Sequence, residues 1–306
     1  MKKFPIVFFA FKRPDKTKRV LEEVFKSKPY KVYIFADGPR NSEDLAMVLD
    51  TRRIIDELTK NFRDVRVSKI YRGKNFGLKK NIIDGLNYVF KNEDAVIVLE
   101  DDCLPSLGFF DFCNKALELY SCDYSISTIC GTRVTEMCGT ENKFLKSRFF
   151  VPWGWATWKR TWNRYSKFDD RVLLDRFLSS RDINFLQRWY FSEVYKLTIK
   201  GSINTWDYKM IIMQLVEGSF SLLPPFNLIK NIGFGGQSSN TKFKTGVSEL
   251  PISQYSRHEI NFSGDISLDE DYDNYLFRKM FFNAISIIGV FVRKYFPFIL
   301  KYIYRI

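Results

Sequence analysis

Residues 95–102 read A-V-I-V-L-E-D-D, five apolar residues running straight into three carboxylates. An unbroken, mostly β-branched apolar run predicts a strand buried on both faces, as in the parallel sheet of an α/β protein. Such a strand ends at the carboxyl edge of its sheet, where open α/β folds take their ligands. Glu100, Asp101 and Asp102 are therefore expected together at the mouth of a crevice. Adjacent carboxylates repel one another unless a cation, or a cation carrying phosphate, sits among them. The apolar approach and the aromatic, helix-like residues 109–120 behind it favour a metal–phosphate site over a plain acidic turn.

Upstream, strands and helices alternate. Residues 5–11 read as a strand, and Asp15 or Thr17 caps a helix to about residue 27, with Val20, Leu21, Val24 and Phe25 at helical spacing. Residues 32–35 form a second strand ending in Ala36-Asp37-Gly38-Pro39, turn chemistry that again puts a carboxylate at a strand end. A helix over 42–61, a strand over 65–71, a basic glycine-containing loop and an amphipathic helix to residue 90 complete the series. This alternation predicts βαβ units and a mostly parallel central sheet flanked by helices. No G-x-G-x-x-G follows the first strand, which argues against a dinucleotide site.

Composition narrows the chemistry. The 306 residues are 45% hydrophobic and 17% aromatic, a packed globular protein with more Phe and Tyr than a core needs. The surplus is expected at a membrane surface or against sugar. A net charge of +13 favours polyanionic partners such as phosphates and anionic lipid. One histidine, His258, leaves little room for His-based triads or zinc. Cys103, Cys113, Cys122, Cys130 and Cys138 lack C-x-x-C spacing and read as reduced thiols in a reducing compartment. The apolar run near the N-terminus closes on Lys12-Arg13-Pro14 without a small-residue cleavage site, so it reads as a strand rather than a signal peptide.

The second half carries three dense stretches. Residues 149–162, F-F-V-P-W-G-W-A-T-W-K-R-T-W, place Trp155, Trp158 and Trp162 at helical spacing, which suits core packing; aromatic faces equally suit sugar rings. Residues 204–215, N-T-W-D-Y-K-M-I-I-M-Q-L, set Asp207 in the first turn of a helix, a position the helix dipole also favours. Residues 224–241 read as a strand and then a glycine-rich loop of the kind that folds over a ligand.

Taken together, F-P-I-V-F-F-A-F-K-R-P, I-F-A-D-G, V-I-V-L-E-D-D with F-F-D-F, G-W-A-T-W-K-R-T-W, W-D and N-L-I-K-N-I-G-F-G-G resemble, in order, a GT-A glycosyltransferase. More narrowly the chain resembles the N-acetylglucosaminyltransferase I-like enzymes and related bacterial sugar transferases, over residues 5–241. The resemblance implies a Rossmann-like GT-A domain with a donor half (1–122), an acceptor and catalytic half (123–262) and a C-terminal tail (263–306). It implies a metal-dependent, inverting transfer from a nucleotide-diphosphate sugar, UDP-linked, to a glycan or lipid-linked glycan in surface polysaccharide synthesis. Asp102 would ligate Mn²⁺ or Mg²⁺ beside Glu100 and Asp101, Arg13 would contact the diphosphate, and Asp37 the base. Lys79 or Lys80 would assist donor binding, and Asp207 would be the catalytic base. Trp153, Trp155 and Trp206 would meet the acceptor, while the segments after residue 241 show no match to acceptor-binding stretches.

The tail, residues 276–306, carries Arg278, Lys279, Arg293, Lys294, Lys301 and Arg305 and no acid. Its longest uncharged run, 280–292, is too short to span a bilayer. Basic residues flanking apolar ones predict an amphipathic helix on anionic lipid, at the inner face of the plasma membrane; packing on the domain or on a second subunit is the alternative. The competing functions are a sugar nucleotidyltransferase, against which the first loop lacks a glycine-rich phosphate cradle, and a non-catalytic basic membrane-binding module. Nucleic acid is not expected, because the basic charge lies in the tail and loops around a carboxylate-lined crevice.

Overall fold

The computed structural model describes residues 2–134, 143–180, 183–233, 250–253 and 266–296. The chain opens with three strand–helix repeats: β1 (Ile6–Ala10), α1 (Pro14–Lys26), β2 (Lys31–Ala36), α2 (Ser42–Lys60), β3 (Arg66–Tyr71) and α3 (Leu78–Val89). Then come β4 (Ala95–Glu100), β5 (Cys103–Pro105), α4 (Leu107–Leu119), β6 (Ile126–Cys130), β7 (Leu145–Ser147) and β8 (Trp155–Trp158). Four helices follow, α5 (Lys159–Lys167), α6 (Asp170–Ser179), α7 (Phe185–Ile199) and α8 (Asp207–Glu217), before β9 (Phe220–Leu223) and β10 (Ile229–Asn231). The described C-terminal part is α9 (Glu270–Leu276), a π-helical turn (Phe277–Phe281) and α10 (Ala284–Tyr295).

Eight strands form one sheet in the order β3-β2-β1-β4-β8-β6-β9-β7, and β5 pairs only with β10 in a short antiparallel ribbon. β1 to β4 are mutually parallel, and β6 and β9 run the same way. Only β8 and β7 run against them, so the sheet is mostly parallel and flanked by helices, as the strand–helix alternation predicts.

Strand periodicity divides the core in two. Ile6, Phe8 and Ala10 of β1, with Ile97 and Leu99 of β4, pack under α1, α2 and α4. Val7 and Phe9, with Val96 and Val98, pack under α3 and the α5–α8 helices. Successive side chains on a strand point to opposite faces, and the helices on both sides make every position apolar.

The aromatic stretch differs from its helical-spacing reading. Trp155 and Trp158 lie on β8, the antiparallel strand between β4 and β6, and only Trp162 is helical. Their spacing of three therefore sends Trp155 to one core and Trp158 to the other. The C-terminal segment is likewise not uniform. Tyr272, Leu276, Phe277 and Phe281 are buried in the main core, and the Tyr272 hydroxyl accepts a bond from Val134 N at 3.2 Å. Cys103, Cys113 and Cys130 are buried free thiols and Cys122 is exposed; Cys138, His258, Lys301 and Arg305 lie outside the described residues.

Candidate active site

The chain order reverses at β1: β2 and β3 extend to one side, while β4 returns to the other. Loops leaving β1 and β4 therefore diverge and open a crevice at the carboxyl edge, the switch point where such sheets bind ligands. β1 and β4 are in register there, with Phe9 opposite Glu100. Arg13, the cap of α1, and the three carboxylates after β4 are thus brought face to face from positions far apart in sequence.

Arg13 Nη1 donates to Asp101 Oδ1 at 2.9 Å and to Asp102 Oδ2 at 2.7 Å. Phe11 N donates to the other oxygen of Asp101 at 3.2 Å. Burial works against the guanidinium charge, but the two carboxylates outweigh it and raise the Arg13 pKa. Asp101 is pushed up to about 6 by burial, with Arg13 opposing. Glu100 is raised well above the carboxylate range by burial and by the charges of Asp102, Asp101 and Asp207. Glu100 follows Val96 and Val98 at strand spacing, so it shares their face of the sheet, the face that α8 covers.

Asp207 begins α8 on that face. Its carboxylate accepts from the Thr205 hydroxyl and from Tyr208 N at 3.0 Å. Burial raises its pKa against those two bonds. The four acids, Glu100, Asp101, Asp102 and Asp207, thus act on one electrostatic centre.

Asp37 is used differently from the base contact that the resemblance implies. Its carboxylate accepts from Gly38 N, Phe76 N, Gly77 N and the Asn75 amide, at 2.8 to 3.0 Å. Four bonds fill the acceptor capacity of a carboxylate. Asp37 therefore anchors the turn into α3. Gly77 in that turn has φ +75, and a Cβ there would stand 3.0 Å from the Asn204 amide nitrogen. The turn thereby abuts the segment that leads to Asp207. Lys79 and Lys80 follow it: Lys80 is exposed with its ammonium 4.8 Å from the Phe76 ring centroid, while Lys79 is partly buried and acts on Asp170.

Two of the three tryptophans assigned to an acceptor are core residues. Trp155 and Trp206 are at most 2% exposed and stack on each other with centroids 5.1 Å apart. Neither offers a face to a sugar ring, because Phe150 packs against both and Trp162 and Tyr165 pack against Trp206. Trp153, before the turn into β8, keeps accessible surface.

Lys16 was not singled out from the sequence, and Asn231 and Gly233 enter there only within the stretch 224–241. Lys16 lies one helical turn beyond Arg13; burial and Arg13 lower its pKa, with Asp102 and Asp101 opposing. The spacing i, i+3 from Arg13 was a usable signal. Gly233 packs so closely that a Cβ would come within 2.4 Å of Asp102 Oδ2, and Ile232 N donates to Asp102 O at 2.7 Å. The β10–β5 ribbon thus closes over the acidic turn; the glycine-rich loop expected to fold over a ligand runs on into residues 234–241, which lie outside the described residues.

Among the described residues no three His, Cys, Asp or Glu side chains are grouped to hold a metal ion. The donors at the crevice are carboxylate oxygens; Asp101 is buried and bonded to Phe11 N, while Asp102 keeps accessible surface. That donor set fits a hard divalent cation that takes one or two protein carboxylates and completes its shell from phosphate oxygens and water.

No protein-family profile and no curated protein matches this chain. Among solved structures, it is similar to the mannosyltransferase PcManGT from Pyrobaculum calidifontis in complex with GDP-Man and Mn²⁺. That match has 10% identity and a TM-score of 0.43, over 71% of this chain and 70% of that one. A UDP-glucose pyrophosphorylase complexed with UDP-glucose matches at 10% identity and TM-score 0.40, over 76% and 94% of the two chains. The 4-diphosphocytidyl-2C-methyl-D-erythritol synthase from Anaerococcus prevotii DSM 20548 matches at 13% identity and TM-score 0.34, over 62% and 82%. Superpositions this loose do not distinguish one reaction from another.

Proposed function

We propose that the crevice is the donor site of a metal-dependent, inverting glycosyltransferase of GT-A type, acting on a nucleotide-diphosphate sugar and a glycan or lipid-linked glycan hydroxyl. The observation that carries this reading is the juxtaposition of a buried arginine with an acidic triplet, and of Asp207 with Glu100 on one sheet face.

In this reading the diphosphate lies against Arg13 on the crevice side of the Arg13–Asp102 pair, with Lys16 adding positive charge. A guanidinium fork matches phosphate oxygens, and its pKa keeps it charged throughout the working range. A divalent cation, Mn²⁺ or Mg²⁺, held by Asp102 would supply charge neutralisation for the departing diphosphate. Glu100 and Asp101 hold the turn and set its field. In this reading the turn anchored by Asp37, with Phe76 and Gly77, lies on the nucleotide side of the crevice, and Lys79 or Lys80 assists donor binding. Asp207 takes the acceptor hydroxyl proton as that oxygen attacks the anomeric carbon and the carbon–oxygen bond to phosphate breaks. The electron pair of that bond leaves with the nucleoside diphosphate. A single base opposite the leaving group gives inversion. Trp153 remains the aromatic candidate for acceptor contact.

The sugar nucleotidyltransferase reading uses a similar crevice but joins a nucleoside triphosphate to a sugar phosphate and releases pyrophosphate. A panel of nucleotide-sugars incubated with and without Mn²⁺ separates the two. Metal-dependent release of nucleoside diphosphate, lost in Asp102→Ala, supports transfer. Pyrophosphate release from a triphosphate and a sugar 1-phosphate would replace it with the second reading. Retention of anomeric configuration in the product would remove the role given to Asp207.

A further inference from the structure

α10 turns its apolar side outward. Ile285, Ile288, Phe291 and Tyr295 recur at spacings of three and four, one face of a helix, and are 48%, 61%, 53% and 54% exposed. The helix is held to the fold by its other side, where Val290 is buried and Lys294 pairs with Glu193 of α7. The stripe continues onto a second element. Phe185, Leu186 and Trp189 at the start of α7 are also exposed, and Trp189 meets Phe282 edge to face at 6.2 Å. A recess of about 620 Å³ lies among Phe185, Leu186, Phe277, Arg278 and Phe282, between the start of α7 and the π-helical turn that leads into α10. Contiguous exposed apolar surface of this kind marks an interaction site.

The charge around it selects the occupant. Arg278 and Lys279 are exposed in the π-helical turn that leads into α10, Arg278 lining the recess. Residues 277–296 contain no aspartate or glutamate. An apolar face with a basic rim complements an anionic bilayer, in which the side chains enter the headgroup boundary and the cations meet lipid phosphates. Among the described residues no single helix is long and apolar enough to cross a membrane. The helical stretch before α10 is bent from it by 55° and packs Tyr272, Leu276, Phe277 and Phe281 into the protein core, so its apolar side is not free to follow α10 into lipid.

We infer that the exposed face of α10, together with the first turn of α7, is a docking surface for anionic lipid on which the protein lies without spanning. This does not rest on the transferase reading. The inner side of α10 also places Ser286 and Arg293 near Tyr190, whose hydroxyl is 3.3 Å from that of Tyr208, the neighbour of Asp207. On the transferase reading, the docked face is therefore the flank from which a lipid-linked acceptor would reach the base.

The test is co-sedimentation of the full chain with phosphatidylglycerol-containing vesicles and with phosphatidylcholine-only vesicles, at low and high salt. The chain is expected to bind the anionic vesicles and to release them as salt rises. The exposed double variant Ile288→Asp/Phe291→Asp should bind at least tenfold more weakly while keeping the wild-type thermal midpoint. A second variant, Arg278→Gln/Lys279→Gln, should weaken binding to anionic vesicles without touching an apolar residue. No binding to anionic vesicles, or equal binding by the Ile288/Phe291 variant, would overturn the inference. So would a concentration-dependent dimer that the same variant dissolves in the absence of lipid binding, which would assign the face to a second copy of the chain.

Discussion

The guanidinium of Arg13 bridges to Asp102 at 2.7 Å across the gap between the ends of β1 and β4, and the same nitrogen holds Asp101 at 2.9 Å. One cation thereby gathers two adjacent carboxylates that would otherwise repel, Asp101 buried and Asp102 partly exposed. The pair also sets a competition. Any divalent cation that takes Asp102 must share it with Arg13, and phosphate oxygens give Arg13 a second partner.

Replacing Arg13 by glutamine removes that partner and leaves the diphosphate with one fewer charged contact. Hydrogen bonds to charged groups contribute about 1.5–3 kcal/mol. The kcat/KM for nucleotide-sugar hydrolysis is therefore expected to fall about 10- to 100-fold. Calorimetric titration with a nucleoside diphosphate and Mn²⁺ should show the loss in binding, and unchanged affinity would remove Arg13 from the donor site.

Asp207→Asn keeps an oxygen to accept from Thr205 and Tyr208 N but cannot take a proton. A general base contributes about 10²–10⁴-fold, so kcat should fall by that amount with little change in donor KM. Burial raises the Asp207 pKa, and the base works only when ionised. Wild-type activity should accordingly decline on the acid side of that raised pKa, and the variant's residual activity should lack this limb. A variant with the wild-type pH profile would assign the proton transfer elsewhere.

Asp37→Asn sets an amide donor against Phe76 N or Gly77 N, each of which now donates to the carboxylate. An unsatisfied buried donor costs about 1–3 kcal/mol. Urea unfolding should report a loss of that size, together with weaker donor binding because the turn into α3 loosens. Lost binding with full stability would instead favour a direct contact between Asp37 and the nucleotide.

Trp155→Ala and Trp206→Ala each empty a stacked, buried position, and such truncations cost about 3–5 kcal/mol. Trp153→Ala should cost less stability and reduce transfer to acceptor while sparing donor hydrolysis. Thermal unfolding alongside the two assays separates a core tryptophan from one at the acceptor side.

Asp273 of α9 is buried against the Ser147 hydroxyl and Arg148 N. Burial pushes its carboxyl up to about 6, above its ordinary value of 3.8. The folded chain then binds this proton more tightly than the unfolded chain, so the stability it contributes is full below the unfolded pKa and lost as pH rises through the folded one. The thermal midpoint of wild type relative to Asp273→Asn should fall between pH 3.8 and about 6 and level off above it. A flat difference across that window would show that the carboxyl stays solvated.

The sequence by itself determined the three strand–helix repeats, the buried β4 strand and the acidic turn at its end. Those follow from local rules: strands buried on both faces read as apolar runs, and turn residues punctuate them. It also indicated Asp207 at a helix start, because T-W-D before an apolar run is a local pattern. Tertiary structure alone decided the partners. Arg13 reaches Asp101 and Asp102 only because the sheet order places β4 beside β1, and no local pattern encodes which strands become neighbours. The same holds for Trp155 and Trp158, whose spacing fits a helix until the antiparallel pairing of β8 with β4 and β6 makes it a strand. Asp37 looked available because sequence cannot count the bonds that Asn75, Phe76 and Gly77 bring to it from another loop. The tail divides for a related reason: Tyr272, Leu276, Phe277 and Phe281 before α10 and the apolar stripe of α10 both have helical spacing, and only the packing against β7 and α7 buries the first set and exposes the second.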